Sequence, residues 1–215
     1  MNLVFIAMPA AGKGTYAQIL CEELGIPHLS TGELIRELAA AGDKLGKEAI
    51  EYNNRGVYAP DELVIKIWEK RLHQPDARNG AIMDNFPGNV SQAKAIEGRI
   101  KVDRVLFFDA PEDVRIYRIT GRLTCRKCGQ IYHEVEVKPK KKGVCDLCGG
   151  ELYKREDQQL DVVKKRFDTY EKEITPLVEF YSKKGLLRVI DSSKSIRVAR
   201  EEIMGNIHKA IEDLK

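Results

Sequence analysis

Five runs of apolar, partly β-branched residues punctuate the chain: LVFIAM (3–8), IPHLS (26–30), AIMDNF (81–86), RVLFFDA (104–110) and LLRVID (186–191). Their length and residue types predict strands. Between them the apolar period lengthens. Leu63, Val64, Ile67, Trp68 and Leu72 form one helical stripe. Val163, Phe167, Tyr170, Ile174, Leu177 and Tyr181 recur at alternating steps of four and three, which predicts a helix from near Gln159 to Lys184. Strands alternating with helices predict an α/β fold, a parallel sheet covered by helices on both faces and joined by right-handed crossovers. In such sheets ligands gather at the carboxyl ends of the strands.

Two segments break the alternation. From about Ser30 to Ala59 the pattern reads as short helices, TGELIRELAAAG and KLGKEAIEYNNRG, inserted before PDELVIKIWEKRL. From about Arg122 to Gln158 the chain is rich in Cys, Gly, Lys and Pro without helical periodicity, and reads as a separate small module. A length of 215 residues suits one core carrying such insertions. Lys and Arg number 36 against 33 for Asp and Glu, a mixed charge that gives no reason to invoke nucleic acid or a membrane. The apolar N-terminus lacks a basic flank and is short for a secretion signal, so it reads as a buried strand and the expected location is the cytoplasm.

The first strand runs into VFIAMPAAGKGT, residues 4–15. A strand, a compact turn and a helix start aim backbone N–H groups and the positive end of a helix dipole at one spot, which suits phosphate. Lys13 adds a mobile charge. The strict motif G-x-x-x-x-G-K-[ST] fails, because Ala7 replaces its first Gly and Gly14 separates Lys13 from Thr15. The turn survives if Ala7 and Ala10 avoid positive φ or accept a cost of about 1 kcal/mol. The competing reading is an ordinary strand-to-helix turn with a surface Lys.

Cys125, Cys128, Cys145 and Cys148 form C-x₂-C-x₁₆-C-x₂-C, within the spacing of a tetrahedral zinc site. Gly129 and Gly149 follow the pairs and permit tight turns that aim amides at the sulfurs. In a cytoplasmic protein this pattern points to structural Zn²⁺ rather than two disulfides, and four thiolates leave no open position for catalysis. The metal would fold a flap too poor in apolar residues for a core of its own. Cys21, in AQILCEEL, reads as a buried helix residue, and His28, His73 and His208 stand at no ligand spacing.

AMPAAGKGT, STGELIR, GVYAPDEL, DNFPGNVSQA, ITGR, CRKCG with GVCDLCGG, KREDQQ and KKRF follow one another along the whole chain in an order that resembles adenylate kinases of the long-lid, zinc-containing bacterial type. The resemblance implies a P-loop NTPase core (1–29, 60–121 and 160–215) with a five-stranded parallel sheet, a helical monophosphate-binding insertion (30–59) and a zinc-bearing lid (122–159). It implies the reaction ATP + AMP ⇌ 2 ADP with Mg²⁺, by a monomer with no nucleic-acid partner. ATP is expected on the Ala10, Ala11, Gly12, Lys13, Gly14, Thr15 loop, with Arg118 against the adenine, Arg122 on the phosphates, Ile131 and Tyr132 near ribose and base, and Lys194 where the backbone cups the adenine. AMP is expected on Thr31 and Arg36, around Val57, Tyr58 and Ala59, on the Asn85, Phe86, Pro87, Gly88 turn, and on Gln92. Arg155 and Arg166 would point at the phosphates from the lid's end and the long helix, and Asp84 would order water on Mg²⁺, with Asp157 assisting.

Phosphoryl transfer between two anions needs converging positive charge and exclusion of water more than a covalent nucleophile. Arginine supplies that charge in a fork geometry. Arg118 and Arg122, four apart in PEDVRIYRITGR, are expected on one helical face. Each residue also has a plainer reading: Thr31 as a helix cap, Gln92 as an exposed helix residue, Ile131 and Tyr132 as packing of a β-ribbon, the arginines as surface ion pairs. Departures from the family pattern cluster at the chemistry. DGFPR reads DNFPG, so Asn85 replaces a Gly and Gly88 replaces an Arg, and Gln158 replaces an acid. One absent transition-state donor costs about 3 to 4 kcal/mol, or roughly 10²- to 10³-fold in rate. Against a total acceleration of at least ~10⁶, a weakened enzyme is expected rather than an inert one. The alternatives are a protein of the same fold that binds nucleotide without turnover, and a zinc ribbon that binds nucleic acid.

Overall fold

A computed structural model describes residues 1–54, 59–154 and 160–214. Strand β1 (Asn2–Ala7) lies at the centre of a five-stranded sheet, order β2-β3-β1-β4-β8, in which every pairing is parallel. The partners are β2 (His28–Ser30), β3 (Ala81–Asp84), β4 (Arg104–Asp109) and β8 (Leu187–Asp191). The five apolar runs are these five strands: β1 starts and ends one residue before its run, and each of the others is shorter than its run by one or two residues at one end. AIMDNF stops at Asp84 because Asn85 turns to φ 52, outside the extended region.

The parallel sheet explains why β1 is apolar without alternation: both of its faces are covered. Leu3, Phe5 and Ala7 pack with Tyr16, Ala17 and Leu20 of α1 (Lys13–Leu24) and with Ile203, Met204 and Ile207 of α8 (Ile196–Ala210). Val4 and Ile6 face the other way, against Val64, Ile67 and Trp68 of α4 (Asp61–Leu72) and Ile174 and Leu177 of α7 (Leu160–Lys183). The long helix inferred from the four-three spacing is α7, within a residue at each end. Chain reversal beside β1 sets the site. The connection after β1 leads towards β2 on one side, that after β4 towards β8 on the other, so a crevice opens at their carboxyl ends.

Between β2 and α4 stand α2 (Thr31–Ala40) and α3 (Lys44–Asn54), packed on each other; α5 (Val90–Ala95) follows β3. After α6 (Glu112–Thr120) comes a second, antiparallel sheet of β5 (Arg122–Cys125), β6 (Ile131–His133) and β7 (Leu152–Tyr153), with β5 central. Its apolar cluster holds four buried residues, Cys125, Tyr132, Cys145 and Leu152, too few to fold the module alone.

Arg118 and Arg122 do not share a helical face. Helix α6 ends at Thr120 and Arg122 opens β5, with Gly121 between them, where a Cβ would overlap the His133 ring. Cys21 is half-buried rather than buried, its Sγ 3.2 Å from the Gln18 carbonyl. No helix among the described residues is long and apolar enough to cross a membrane.

Candidate active site

The turn after β1 closes compactly onto a helix start despite its alanines. Ala7 is the last residue of β1 and stays extended, so the first missing glycine costs nothing. Ala10 takes φ 67 and accepts the left-handed conformation, and Gly12 takes φ 90, where a side chain would be strained. The Ala11 N–H donates to the Met8 carbonyl (3.2 Å) and that of Thr15 to the Gly12 carbonyl (3.0 Å), closing the turn onto the start of α1. Tyr16 stacks on Phe108 (5.8 Å, 9°) and fixes that helix start against β4.

Lys13 forms an ion pair with Asp84 at the end of β3. Burial pushes the Lys13 ammonium below its usual range, while the Asp84 charge opposes that shift. Burial also opposes ionisation of Asp84, but Lys13 and His28 outweigh it and hold the carboxyl below the ordinary range. His28 Nε2 lies 3.0 Å from the second Asp84 oxygen. Sequence reading missed His28: it is 56 positions from Asp84, and only the β2–β3 register, Ser30 beside Asp84, brings the two together.

A carboxyl with a lowered folded pKa adds stability in full above its unfolded value, about 3.9. That stability is lost as pH falls through the folded value. The melting temperature of the wild-type protein is therefore expected to drop between about pH 4 and lower pH more steeply than that of Asp84→Asn, the difference arising from this one group. Parallel acid limbs in thermal unfolding of the two proteins would contradict it.

A cleft of about 1470 Å³ opens over the loop, lined among others by Gly12, Lys13, Asn85, Arg118, Arg122 and Ile131. Arg118 and Arg122, separated by the helix end, still converge on it. Arg118 Nη2 donates to the carbonyls of Ser193 (3.2 Å) and Lys194 (2.8 Å), tying α6 to the loop after β8. The Lys194 ammonium itself turns to Glu202. Ile131 is exposed on the cleft wall, whereas Tyr132 also packs into the cysteine module, where its hydroxyl accepts from the Asp146 N–H (2.7 Å). Across the mouth, Ser195 Oγ donates to Glu136 Oε2 (3.0 Å) and the Arg197 guanidinium donates to the Glu136 carbonyl, joining the ribbon to the start of α8. No motif spacing signalled this contact.

On the other side of Asp84, Thr31 is the first residue of α2 rather than its cap, and its Oγ1 accepts from Trp68 Nε1 (3.1 Å). Trp68 stacks on Phe86 (4.5 Å, 7°). Arg36 lies over Gly32 on the exposed side of α2, and Ala59 and Pro87 are buried. Gln92 is buried, not an exposed helix residue: its Oε1 accepts from the Gly88 N–H (2.7 Å) and its Nε2 donates to Asp61 Oδ1 (2.9 Å). Val57, Tyr58, Arg155, Asp157, Gln158 and the Arg166 side chain lie outside the described residues.

The four cysteine sulfurs of the small module lie within 4.8 Å of one another. Cys125 and Cys148 are 3.5 Å apart, Cys128 and Cys145 3.6 Å. Sulfurs bound at about 2.3 Å in a tetrahedron are separated by about 3.8 Å, so the cluster fits a four-coordinate ion. Gly129 (φ 74) and Gly149 (φ 70) make the turns after each pair. Burial opposes ionisation of Cys145, yet the Tyr132 hydroxyl and the amides of Cys148 and Leu147 bring its thiol down to about 6.

Comparison with known proteins agrees with this geometry. The model of the family described as adenylate kinase matches residues 5–186. An adenylate kinase of Archaeoglobus fulgidus is 43% identical over 214 residues, covering 97% of this chain and 99% of that protein. Those of Thermodesulfovibrio yellowstonii (43% over 217 residues, 99% of each chain) and Caldicellulosiruptor saccharolyticus (42% over 209 residues, 95% of this chain and 97% of that protein) are similar over equal extents. With the family model matching residues 5–186 and these relatives 42–43% identical over almost the full length, the chain belongs to the adenylate kinase family.

Proposed function

We propose that the protein transfers a phosphoryl group reversibly between ATP and AMP, giving two ADP. The observation that carries this reading is Lys13: a buried ammonium at a helix start, paired with Asp84, beside a turn whose amides suit phosphate. In this reading residues 10–15 hold the ATP phosphates, and Lys13 exchanges its carboxylate partner for them. Arg118 supports the adenine beside the 193–194 carbonyls it already holds, and Arg122 turns to the phosphates, joined by Arg155 and Arg166. Asp84 and the exposed Thr15 hydroxyl supply hard oxygen donors beside Lys13 for Mg²⁺, which would neutralise phosphate charge. Thr31, Arg36, Val57 to Ala59 and the turn from Asn85 to Gly88 receive AMP, and Gln92 holds that turn through the Gly88 amide.

The three-part division into core, insertion at 30–59 and lid at 122–159 follows from this assignment. Closing the lid over ATP would bring Arg122 and Arg155 inward and shed water. A structural Zn²⁺ on the four cysteines would hold the lid's fold, and the chemistry it supplies is mechanical. Elemental analysis is therefore expected to give one zinc per chain. Stripping it with a chelator is expected to abolish most ADP formation while circular dichroism of the helices stays largely intact, since the two large apolar clusters contain none of the module's residues. A zinc-free protein of undiminished turnover would overturn the assignment. The reaction is tested by a coupled assay of ADP formation from ATP and AMP; binding of both nucleotides without turnover would favour the non-catalytic alternative.

A further inference from the structure

Asn85 stands where the family pattern DGFPR has glycine, and its side chain has no structural duty. Its backbone takes φ 52, a conformation asparagine tolerates but glycine adopts freely. Its N–H donates to the Phe5 carbonyl (3.1 Å), which holds residue 85 beside the carboxyl end of β1, the strand that leads into the proposed phosphate loop. The side-chain Oδ1 is turned inward, where no group donates to it, and Asn85 lines the cleft shared with Gly12 and Lys13. Among the described residues nothing in the protein is bonded to its amide. A buried acceptor left unpaired in this way is costly and shows that the carboxamide is not held by the fold, which leaves its Nδ2 available as a donor. The residue before it is Asp84, which holds Lys13; three residues after it is Gly88, where the family's arginine is missing.

We propose that the Asn85 carboxamide is a catalytic hydrogen-bond donor: Nδ2, from which no described group accepts, bonds an oxygen of the phosphoryl group in flight and stands in for the absent guanidinium at position 88. This rests on the phosphoryl-transfer reading above. The two departures from the motif are then one exchange, a charged donor lost at 88 and a neutral one gained at 85. A preorganised side-chain amide aimed at developing negative charge is worth about 10²- to 10³-fold in rate where it has been removed from other enzymes. Gln92 is no candidate for the part, because both ends of its amide are already bonded.

The test compares Asn85→Gly and Asn85→Asp with the wild-type protein, zinc-loaded, in steady-state ADP formation and thermal unfolding. Glycine suits φ 52, so Asn85→Gly is expected to melt at the same or a higher temperature. Its kcat is expected to fall ten-fold or more with KM for AMP changed less than three-fold. Asn85→Asp keeps the shape, loses the donor and adds a negative charge, so its kcat is expected to fall further. Adding Arg at 88 should raise kcat by a larger factor in the Asn85→Gly background than in the wild type, since the two donors serve one group. An unchanged kcat in Asn85→Gly, or strictly additive effects in the double variant, would overturn the proposal while leaving the reaction standing. Wild-type turnover no greater than that of Lys13→Met would overturn the reaction itself, and this proposal with it.

Discussion

Lys13→Met is expected to lower ADP formation by at least a thousand-fold while the fold survives. Lys13 is a buried cation at the start of α1, and its partner in the free protein is the Asp84 carboxylate. Its ammonium serves phosphate as a point charge that can follow the group from one nucleotide to the other. Interactions that strengthen only as the transition state forms act on kcat, so the loss should appear there more than in KM. Methionine has similar length but takes the ammonium partner from the largely buried Asp84 carboxylate, leaving it His28 alone, and removing one partner of such a pair destabilises. The midpoint of thermal unfolding near pH 7 should therefore fall by roughly ten degrees, while circular dichroism at 25 °C should not change. A variant retaining more than a tenth of wild-type kcat would remove Lys13 from the chemistry.

Gly88→Arg is expected to raise turnover by an order of magnitude or more. A Cβ built at position 88 meets the Asn85 carbonyl at 3.4 Å and Gln92 Oε1 at 3.5 Å, both ordinary contacts, so the backbone accepts a side chain there. The new guanidinium would start from the turn held by Gln92 and reach the cleft between the two proposed phosphate sites. A charge-assisted donor in a water-poor cleft is worth about 10²- to 10³-fold when it acts on the transition state, and a donor already present at Asn85 reduces the gain. Steady-state assay of ADP formation measures it directly. An unchanged or lower kcat would mean that the cleft around 88 has been reshaped and that no cation is wanted there.

The parts of this molecule that were legible in the sequence are those set by local pattern. Strands buried on both faces appear as unbroken apolar runs, and α7 shows its stripe over six regularly spaced residues. The cysteine cluster was equally plain, because the ligand spacing is local within each pair. Helix α8 was not singled out; its opening carries exposed Val198 and a non-helical Ala199, which blur the period. Long-range pairings were also hidden. His28 reaches Asp84 through strand register, and Glu136 reaches Ser195 and Arg197 across the mouth of the cleft, neither of which leaves a trace in spacing. The fate of the alanines needed coordinates too. Ala7 belongs to a strand and Ala10 carries the positive φ, a distinction between two identical residues that composition does not make.

In the proposed function the departures at Asn85 and Gly88 would bear on how fast the enzyme works, and the paired Lys13 and Asp84 on whether it works at all. The most direct measurement is phosphorus NMR of zinc-loaded protein mixed with ATP, AMP and Mg²⁺. The account predicts that ATP and AMP resonances fall together while ADP rises by two for each pair consumed, with no inorganic phosphate, and that the same final mixture is reached from ADP alone. ATP loss accompanied by free phosphate with AMP untouched, or a spectrum that does not change, would contradict it.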